Sequence, residues 1–188
     1  MKLVEYPVNI ADLELISQEQ FQERSAGLHV SAIIDYISRS LGRRDNDFNR
    51  DDLDAFAIVG RVFEHHLAQT IFRPPRYVRP GEVELDGIVG SPDAIDLDDL
   101  AIVEFKATWK SSKRPIDSLR EYFWQIQSYC WMTGIYKARL YVFYVCGNWS
   151  PPKPIWPPKA WEIEFSKGEL EANWEMIKRE SINVATDK

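Results

Sequence analysis

Residues 90–108 constrain the fold more than any other part of the chain, because their pattern is that of a β-hairpin. Two apolar runs flank the adjacent acids Asp98 and Asp99, which favour a turn. If the hairpin is centred between these two aspartates, Asp93 on the first strand lies opposite Glu104 on the second. The sequence therefore predicts a pair of antiparallel strands together with their register.

The predicted hairpin gathers charged side chains on one face. Side chains alternate between the two faces of a strand, so Lys106 lies on the same face as Glu104, across from Asp93. Magnesium takes oxygen ligands, usually one or two carboxylates together with water and substrate phosphate. Such an ion polarises a scissile phosphate and activates a bound water, and a neighbouring lysine can position that water or offset developing charge. The pattern is thus that of a metal-dependent site for phosphate chemistry.

A plain ion pair between Glu104 and Lys106 is the competing interpretation, since acids and a lysine at these spacings occur by chance in many proteins. The two charges alternate with apolar residues such as Val103 and Phe105, so this strand is expected to be buried on both faces. Charges in such a place are costly unless they serve a purpose. A glycine and a proline just before Asp93 also suggest that the backbone leading to this site has a specific conformation. From the hairpin alone, the two interpretations stay balanced.

The elements around the hairpin alternate between helical and extended patterns. Apolar residues at helical spacing predict helices, and runs of β-branched and aromatic residues predict strands. In chain order we expect helices at residues 30–41 and 51–71, strands at 83–89, 93–97 and 101–108, a helix at 116–133, strands at 138–145 and 161–165, and a helix at 169–179. This order predicts an α/β fold in which helices cover both faces of a central β-sheet.

The predicted helix at residues 51–71 carries an acid on its apolar stripe. Glu64 follows Gly60 by one turn and lies among small and apolar residues, from which its carboxylate could reach a metal site. An ordinary glutamate at the edge of the stripe is the alternative, and taken alone Glu64 fits that alternative better.

The predicted helix at residues 116–133 presents Gln125 and Tyr129 on one side. A glutamine can orient a water or a catalytic lysine, and a tyrosine hydroxyl can hydrogen-bond a phosphate. The loop before this helix adds three basic residues that suit a DNA backbone, namely Lys110, Lys113 and Arg114. A solvated polar stripe and solvated loop charges would explain the same residues without a ligand.

Composition limits the classes of function. A net charge of −6 argues against a protein that coats nucleic acid non-specifically, but it allows a local basic groove beside an acidic site. The two cysteines, Cys130 and Cys146, cannot by themselves hold zinc or an iron–sulfur cluster, and we expect both to be small buried hydrophobes.

The chain shows no apolar run long enough to cross a bilayer, and its first residues are broken by charges and a proline, unlike a signal peptide. We expect a cytoplasmic protein. The length of 188 residues suits one domain, residues 1–188, with a core at about 50–146, a helical lead-in at 1–49 and a strand–helix extension at 147–188.

Four motifs, in order, resemble the RecB-like branch of the PD-(D/E)xK nucleases. In this chain GxxxE reads Gly60…Glu64, GxPD reads Gly90-Ser91-Pro92-Asp93, ExK reads Glu104-Phe105-Lys106 and QxxxY reads Gln125…Tyr129. Each motif is common, but four in order on the expected elements are specific. The resemblance implies a restriction-endonuclease-like αβββαβ core, with a central mixed β-sheet flanked by helices. The element order of this core matches the order read from the residues.

The resemblance also implies roles for individual residues. A Mg²⁺ or Mn²⁺ ion would be held by three carboxylates and one backbone carbonyl, namely Glu64, Asp93, Glu104 and the carbonyl of Phe105. Lys106 would assist the nucleophilic water, with Gln125 supporting the catalytic group. Gln125 and Tyr129 would also support the DNA strand.

Three departures from the family pattern refine what the resemblance implies. Many members of the branch carry a histidine where Glu64 stands, whereas a glutamate is more like the phage lambda exonuclease and its relatives. The chain lacks the four cysteines of the CRISPR-associated RecB-like exonucleases, so we expect no iron–sulfur cluster. These 188 residues contain no helicase pattern, and we expect processivity to need a homo-oligomer or a recombination or helicase partner.

We therefore expect a metal-dependent DNA nuclease without a membrane partner, acting in recombination, repair or phage DNA processing. An exonuclease is favoured over an endonuclease. Two alternatives stay open, a catalytically silent DNA- or protein-binding module on the same fold, and a restriction-type endonuclease.

Overall fold

The computed structural model describes residues 1–6, 25–42 and 75–186, together with Gly60, Val62 and His66. In these ranges the strands are β1 (Lys2–Tyr6), β2 (Leu28–His29), β3 (Tyr77–Val78), β4 (Val83–Leu85), β5 (Ile88–Gly90), β6 (Ala94–Asp96), β7 (Ala101–Thr108), β8 (Lys137–Tyr144) and β9 (Lys159–Glu164). The α-helices are α1 (Val30–Ser40), α2 (Arg120–Thr133) and α3 (Lys167–Thr186). No helix in this part of the chain is long and apolar enough to span a bilayer.

The described strands form two sheets. The larger has six strands in the order β1-β9-β8-β7-β6-β3, and the smaller has the order β2-β5-β4. In the larger sheet β7 and β8 run parallel, while its other neighbouring strands are antiparallel. α2 joins β7 to β8 and packs on both, and α1 and α3 pack against α2. The predicted α/β class with a central mixed sheet and flanking helices is therefore confirmed.

β7 lies between β6 and β8 and is buried along most of its length. Its residues from Ala101 to Phe105 are all buried, as the apolar residues around its charges predicted. On one face Ile102 joins the core formed with α2. On the other face the ring of Phe105 packs against Tyr141, with ring centroids 5.2 Å apart. Burial on both faces is typical of a strand with a parallel neighbour.

The β6–β7 hairpin has the predicted register. Ile95 pairs with Ile102, and Ala94 pairs with Val103. The turn between the strands ends at Leu100, whose φ of 48° lies in the left-handed region that a tight reversal requires. Because the side-chain period of a strand is two, this register sets which face every charge of the hairpin occupies.

A buried carboxylate near the turn of this hairpin binds two arginines from other parts of the chain. Asp96 is fully buried and accepts hydrogen bonds from Arg76, at 2.8 Å, and from Arg139. Burial raises the pKa of Asp96, but the hydrogen bond from Arg76 and the charge of Arg139 outweigh it, so the pKa lies below its usual range. Asp99 contacts the same two arginines. The sequence predicted only a turn here, because the arginines are distant in the chain.

Several elements differ from expectation, and β2 and β3 were not predicted. The predicted strand at 83–89 is the hairpin β4–β5, because Asp86 and Gly87 adopt φ values of 55° and 75° and reverse the chain. Asp-Gly is a strong hairpin signal that the apolar run concealed. The lead-in at 1–49, expected to be helical, also contains β1, which pairs with β9. The helix expected from residue 116 begins with a 3₁₀ turn (Ile116–Ser118), and α2 follows it.

α3 holds α2 in place from outside. Asn173 donates hydrogen bonds of 3.1 Å to the carbonyl of Trp124 and to the hydroxyl of Ser128, both on α2. Trp174 donates from its indole to Asp86 at 2.9 Å, which ties α3 to the β4–β5 turn. These contacts matter for the site, because α2 carries Gln125. The predicted helix at 51–71 lies outside the described residues except at the three isolated positions.

Candidate active site

Glu104 and Lys106 form an ion pair in the interior of β7. Lys106 Nζ lies 2.6 Å from Glu104 Oε1, and both side chains occupy the face of β7 that α2 covers. The Glu104 side chain is 1% exposed and that of Lys106 is 13% exposed. A carboxylate this deeply buried requires a charged or hydrogen-bonding partner, because its desolvation is costly. Lys106 is the charged partner of this carboxylate, and its own side chain remains slightly exposed to solvent.

Asp93 lies just before β6, at the position where the register continued from Ala94 and Val103 brings it opposite Glu104. Its Oδ2 atom accepts a hydrogen bond of 2.8 Å from the backbone N–H of Phe105. The N–H and C=O of one strand residue point towards the same neighbouring strand. The carbonyl of Phe105 is therefore directed towards the same edge as the Asp93 carboxylate.

α2 brings Gln125 and Tyr129 to these acids. Gln125 Nε2 donates a hydrogen bond of 2.7 Å to the hydroxyl oxygen of Tyr129. Burial raises the pKa of Tyr129 above its usual range, and the negative charge of Glu104 adds to the increase. The opposing effect of Lys106 is smaller. The Tyr129 hydroxyl thus lies within the electrostatic field of the candidate site.

The expected contact between Tyr129 and a DNA strand does not fit its position. The residue is 3% exposed, and its ring packs beneath β5 rather than on an open surface. Its neighbour Cys130 is also buried, and burial followed by the charge of Glu104 raises the pKa of the thiol. A buried Cys130 agrees with its expected role as a small hydrophobe, whereas Cys146 is only partly buried.

Gly90 permits the close approach of α2 to the hairpin. A Cβ atom at this position would lie 2.8 Å from Met132 Sδ and 3.0 Å from Cδ1 of the Tyr129 ring. The glycine before Asp93 therefore has a steric reason that the sequence could not reveal, since its contact lies on another element. The next residue, Ser91, has a buried hydroxyl that finds no hydrogen-bond partner in the described part of the chain.

The three basic residues of the loop after β7 differ in their surroundings. Lys110 lies 3.9 Å from Glu121 and over the ring of Tyr122 at 5.8 Å, so α2 holds it. Lys113 and Arg114 are exposed, and neither joins a salt bridge within the residues that the structure describes. Lys113 and Arg114 are therefore more exposed than Lys110, and contact of all three residues with DNA stays a prediction.

The remaining predicted metal ligand, Glu64, lies outside the described residues, and its role stays a prediction. Within residues 1–6, 25–42 and 75–186, no group of three or more His, Cys, Asp or Glu side chains is arranged to hold a metal ion. The described donors are the carboxylates of Asp93 and Glu104 and the carbonyl of Phe105. Because Mg²⁺ commonly takes one or two protein carboxylates and completes its shell with water and phosphate, this donor set fits Mg²⁺ or Mn²⁺.

Comparison with known proteins adds a structural relationship. No protein-family model and no curated protein matches the sequence. The fold is similar to the crystal structure of SSO0001, with a TM-score of 0.50 and 14% identity over 85% of this chain and 78% of that chain. At this identity the likeness shows a shared fold.

Two further structures resemble the chain at lower TM-scores. One is the alkaline exonuclease LHK-Exo from Laribacter hongkongensis in complex with dAMP, with a TM-score of 0.47 and 16% identity over 86% of this chain and 87% of that chain. The other is a phage-related exonuclease from Haemophilus somnus 129PT, with a TM-score of 0.47 and 12% identity over 85% of this chain and 83% of that chain.

Proposed function

We propose that this protein is a Mg²⁺- or Mn²⁺-dependent nuclease that hydrolyses DNA phosphodiester bonds. Its active site would be formed by Asp93, Glu104 and Lys106. The observation that carries the proposal is the ion pair of Glu104 and Lys106, buried in the sheet beside the Asp93 carboxylate. A purely structural role for this pair is disfavoured, because apolar side chains would fill the same space without the cost of removing charges from water.

The described acids have the chemistry to hold the metal ion. Asp93 and Glu104 would bind it together with the carbonyl of Phe105, and Glu64 is proposed as a further ligand. When bound, Mg²⁺ supplies a Lewis acid for the scissile phosphate and lowers the pKa of a coordinated water. The hydrogen bond from the Phe105 N–H orients the Asp93 carboxylate before any ligand arrives.

Lys106 is the proposed catalytic cation. Its ammonium group lies 2.6 Å from Glu104 Oε1 and keeps a small exposed fraction, so it can donate a further hydrogen bond to the attacking water or to a phosphate oxygen. An ammonium held in a site with little water stabilises developing negative charge more strongly than the same group in bulk solvent.

Gln125 and Tyr129 are proposed as positioning residues. The Tyr129 oxygen accepts from Gln125, which leaves the Tyr129 O–H as a donor within the field of Glu104. Lys113 and Arg114 are proposed to contact DNA phosphates. An exonuclease is favoured because Glu64 matches the lambda-exonuclease-like members of the family that the motifs resemble. Recombination, repair or phage DNA processing is the expected setting.

The test is digestion of end-labelled linear DNA and covalently closed circular DNA with Mg²⁺ or Mn²⁺. Glu104→Gln and Lys106→Met preserve the size of each side chain and should lower the rate at least about 100-fold. Asp98→Asn is the matched control, because it removes an exposed acid from the same hairpin.

Three results separate the possible functions. Loss of the linear substrate alone, abolished in both site variants, supports an exonuclease. Cutting of the circle that depends on the same residues supports a restriction-type endonuclease. If folded protein cuts neither single- nor double-stranded DNA with either metal, the proposed activity is wrong for the isolated chain, and a silent binding module becomes the better interpretation.

A further inference from the structure

The loops that follow β7 and β8 form a surface rich in basic and aromatic residues. It consists of residues 109–115, which follow β7, and residues 145–158, which follow β8, and we call it the tryptophan–lysine surface. The two segments contain four Lys or Arg residues and no Asp or Glu, although the whole chain has 23 basic and 29 acidic residues. The two segments are therefore positively charged in a chain of net negative charge.

Hydrogen bonds hold the two segments together. The backbone N–H of Ser112 donates to the carbonyl of Gly147 at 2.8 Å. The indole N–H of Trp149 donates to the carbonyl of Trp109 at 2.7 Å. These contacts join the loop after β7 to the loop after β8, so their side chains belong to one surface.

Two tryptophan rings on this surface are open to solvent. Trp149 is 51% exposed and Trp156 is 50% exposed. Each ring is held from one side, Trp149 by its hydrogen bond to Trp109 and Trp156 by an edge contact with Phe143 at a centroid distance of 6.3 Å. A ring that is both positioned and half exposed offers a flat apolar face to a ligand.

Lys110 is paired with Glu121, whereas the other three cations of this surface form no salt bridge within the described part of the chain. These three, Lys113, Arg114 and Lys153, are exposed. The backbone of the first loop is fixed by Ser111, whose hydroxyl accepts from the Lys113 N–H and whose carbonyl accepts from the Arg114 N–H. The charges are therefore carried by an ordered loop.

We propose that the tryptophan–lysine surface binds single-stranded DNA, with bases stacked on Trp149 and Trp156 and phosphates bound by Lys113, Arg114 and Lys153. Exposed aromatic rings among uncompensated cations are the pattern of single-strand binding, whereas a duplex keeps its base faces stacked and unavailable. The inference rests on the proposed function for its choice of DNA, and it assigns a single strand as the ligand. Lys106 precedes the end of β7 at Thr108 by two residues, so a bound strand can continue into the proposed active site.

The test measures binding without catalysis. Fluorescein-labelled oligothymidine of about twenty nucleotides, long enough for typical single-strand sites, is titrated with the protein in EDTA, and anisotropy gives the Kd. Trp149→Ala and Trp156→Ala should each weaken binding at least about fivefold, the lower end of stacking by one base. Trp149→Phe keeps a ring but loses the hydrogen bond to Trp109, so it should retain most of the affinity. Tyr136→Ala removes an exposed aromatic ring next to the opposite end of β8 and should have no effect.

Salt dependence tests the phosphate contacts. In the double variant Lys113→Gln/Arg114→Gln, the slope of log Kd against log salt should become shallower by about 1.4, the value for two lost contacts with a single strand. Lys137→Gln/Lys167→Gln removes the same charge from exposed positions away from this surface and should leave the slope nearly unchanged.

The outcomes distinguish this inference from the proposed function. Absence of binding to oligothymidine, binding that ignores both tryptophans, or equal affinity for duplex DNA would each overturn it. Binding in EDTA that follows the tryptophans, in a protein that cuts no DNA with either metal, supports the surface and contradicts the nuclease. Cleavage that needs Lys106, together with single-strand binding that is unchanged by substitution of Trp149 and Trp156, supports the nuclease and contradicts the surface.

Discussion

The carboxylate of Asp93 accepts a hydrogen bond of 2.8 Å from the backbone N–H of Phe105 on the neighbouring strand. This contact extends the pairing of β6 and β7 past the last backbone pair, which is Ala94 with Val103. The same side chain is therefore a structural acceptor and a proposed metal ligand. The two roles can be separated, because an asparagine oxygen still accepts from Phe105 but carries no charge.

Asp93→Asn should leave the protein folded and abolish its nuclease activity. We expect its free energy of unfolding to stay within about 1 kcal/mol of the wild type, because the hydrogen bond to Phe105 is retained. Asp93→Ala leaves that N–H without its acceptor and should cost about 1–3 kcal/mol in addition. Urea unfolding and DNA digestion measure the two effects. Substantial activity in Asp93→Asn would show that its charge is not needed.

Magnesium should stabilise the protein through the same carboxylates. A ligand that binds only the folded state adds about 2.7 kcal/mol at a concentration one hundred times its Kd, so the Tm should rise with MgCl₂ in a saturable way. Asp93→Asn and Glu104→Gln should lose this increase. Glu171→Gln removes an exposed acid on α3 and should retain it. An equal rise in all four proteins would place the metal elsewhere.

Gly90→Ala should destabilise the fold and lower activity, because the added methyl group meets Tyr129 and Met132 at 3.0 and 2.8 Å. The thioether of Met132 can move aside, whereas the buried ring of Tyr129 must shift with α2. Overpacking of this kind costs about 1–3 kcal/mol. Gly168→Ala is the control, since its Cβ would meet no atom within 4 Å. Thermal unfolding compares the pair, and equal Tm values would contradict the tight contact.

The ion pairs of Asp96 with Arg76 and Arg139 should make the free energy of unfolding depend on pH. The folded pKa of Asp96 is lower than its usual value. Its charge therefore stabilises the fold above about pH 4, the usual range of the unfolded side chain, and this contribution is lost as pH falls through the folded pKa. Asp96→Asn should cost about 3 kcal/mol at pH 7, because it leaves Arg139 and Arg76 without their buried partner.

The matched control for this network is Asp98→Asn. Asp98 is exposed and lies 3.6 Å from Arg76, so its pair should contribute no more than about 1 kcal/mol. Chemical denaturation between pH 3 and pH 7 gives the comparison, at pH values chosen to bracket the usual Asp range. If Asp96→Asn lost stability with acid as steeply as the wild type, another carboxyl group would have to account for the dependence.

The sequence alone determined the β6–β7 hairpin, because local rules suffice for it. Alternation with a period of two and the turn at Asp98 and Asp99 set the register, and the register in turn brought Asp93 opposite Glu104. Lys106 follows on the face of Glu104 from the same alternation. The Asp-Gly turn at Asp86 was equally local, but a continuous apolar pattern hid it. Contacts between residues close in the chain could therefore be predicted.

Only the tertiary structure decided which distant residues complete this hairpin. Arg139 reaches Asp96 across 43 positions, and Gly90 meets Tyr129 because α2 folds back over β5. No local periodicity encodes such pairs, since they depend on how helices and strands pack after each has formed. The same reason explains why Tyr129, predicted to touch DNA from its place on one side of a helix, is buried beside the carboxylates. Periodicity predicts the face on which a side chain lies, whereas packing determines whether solvent reaches it.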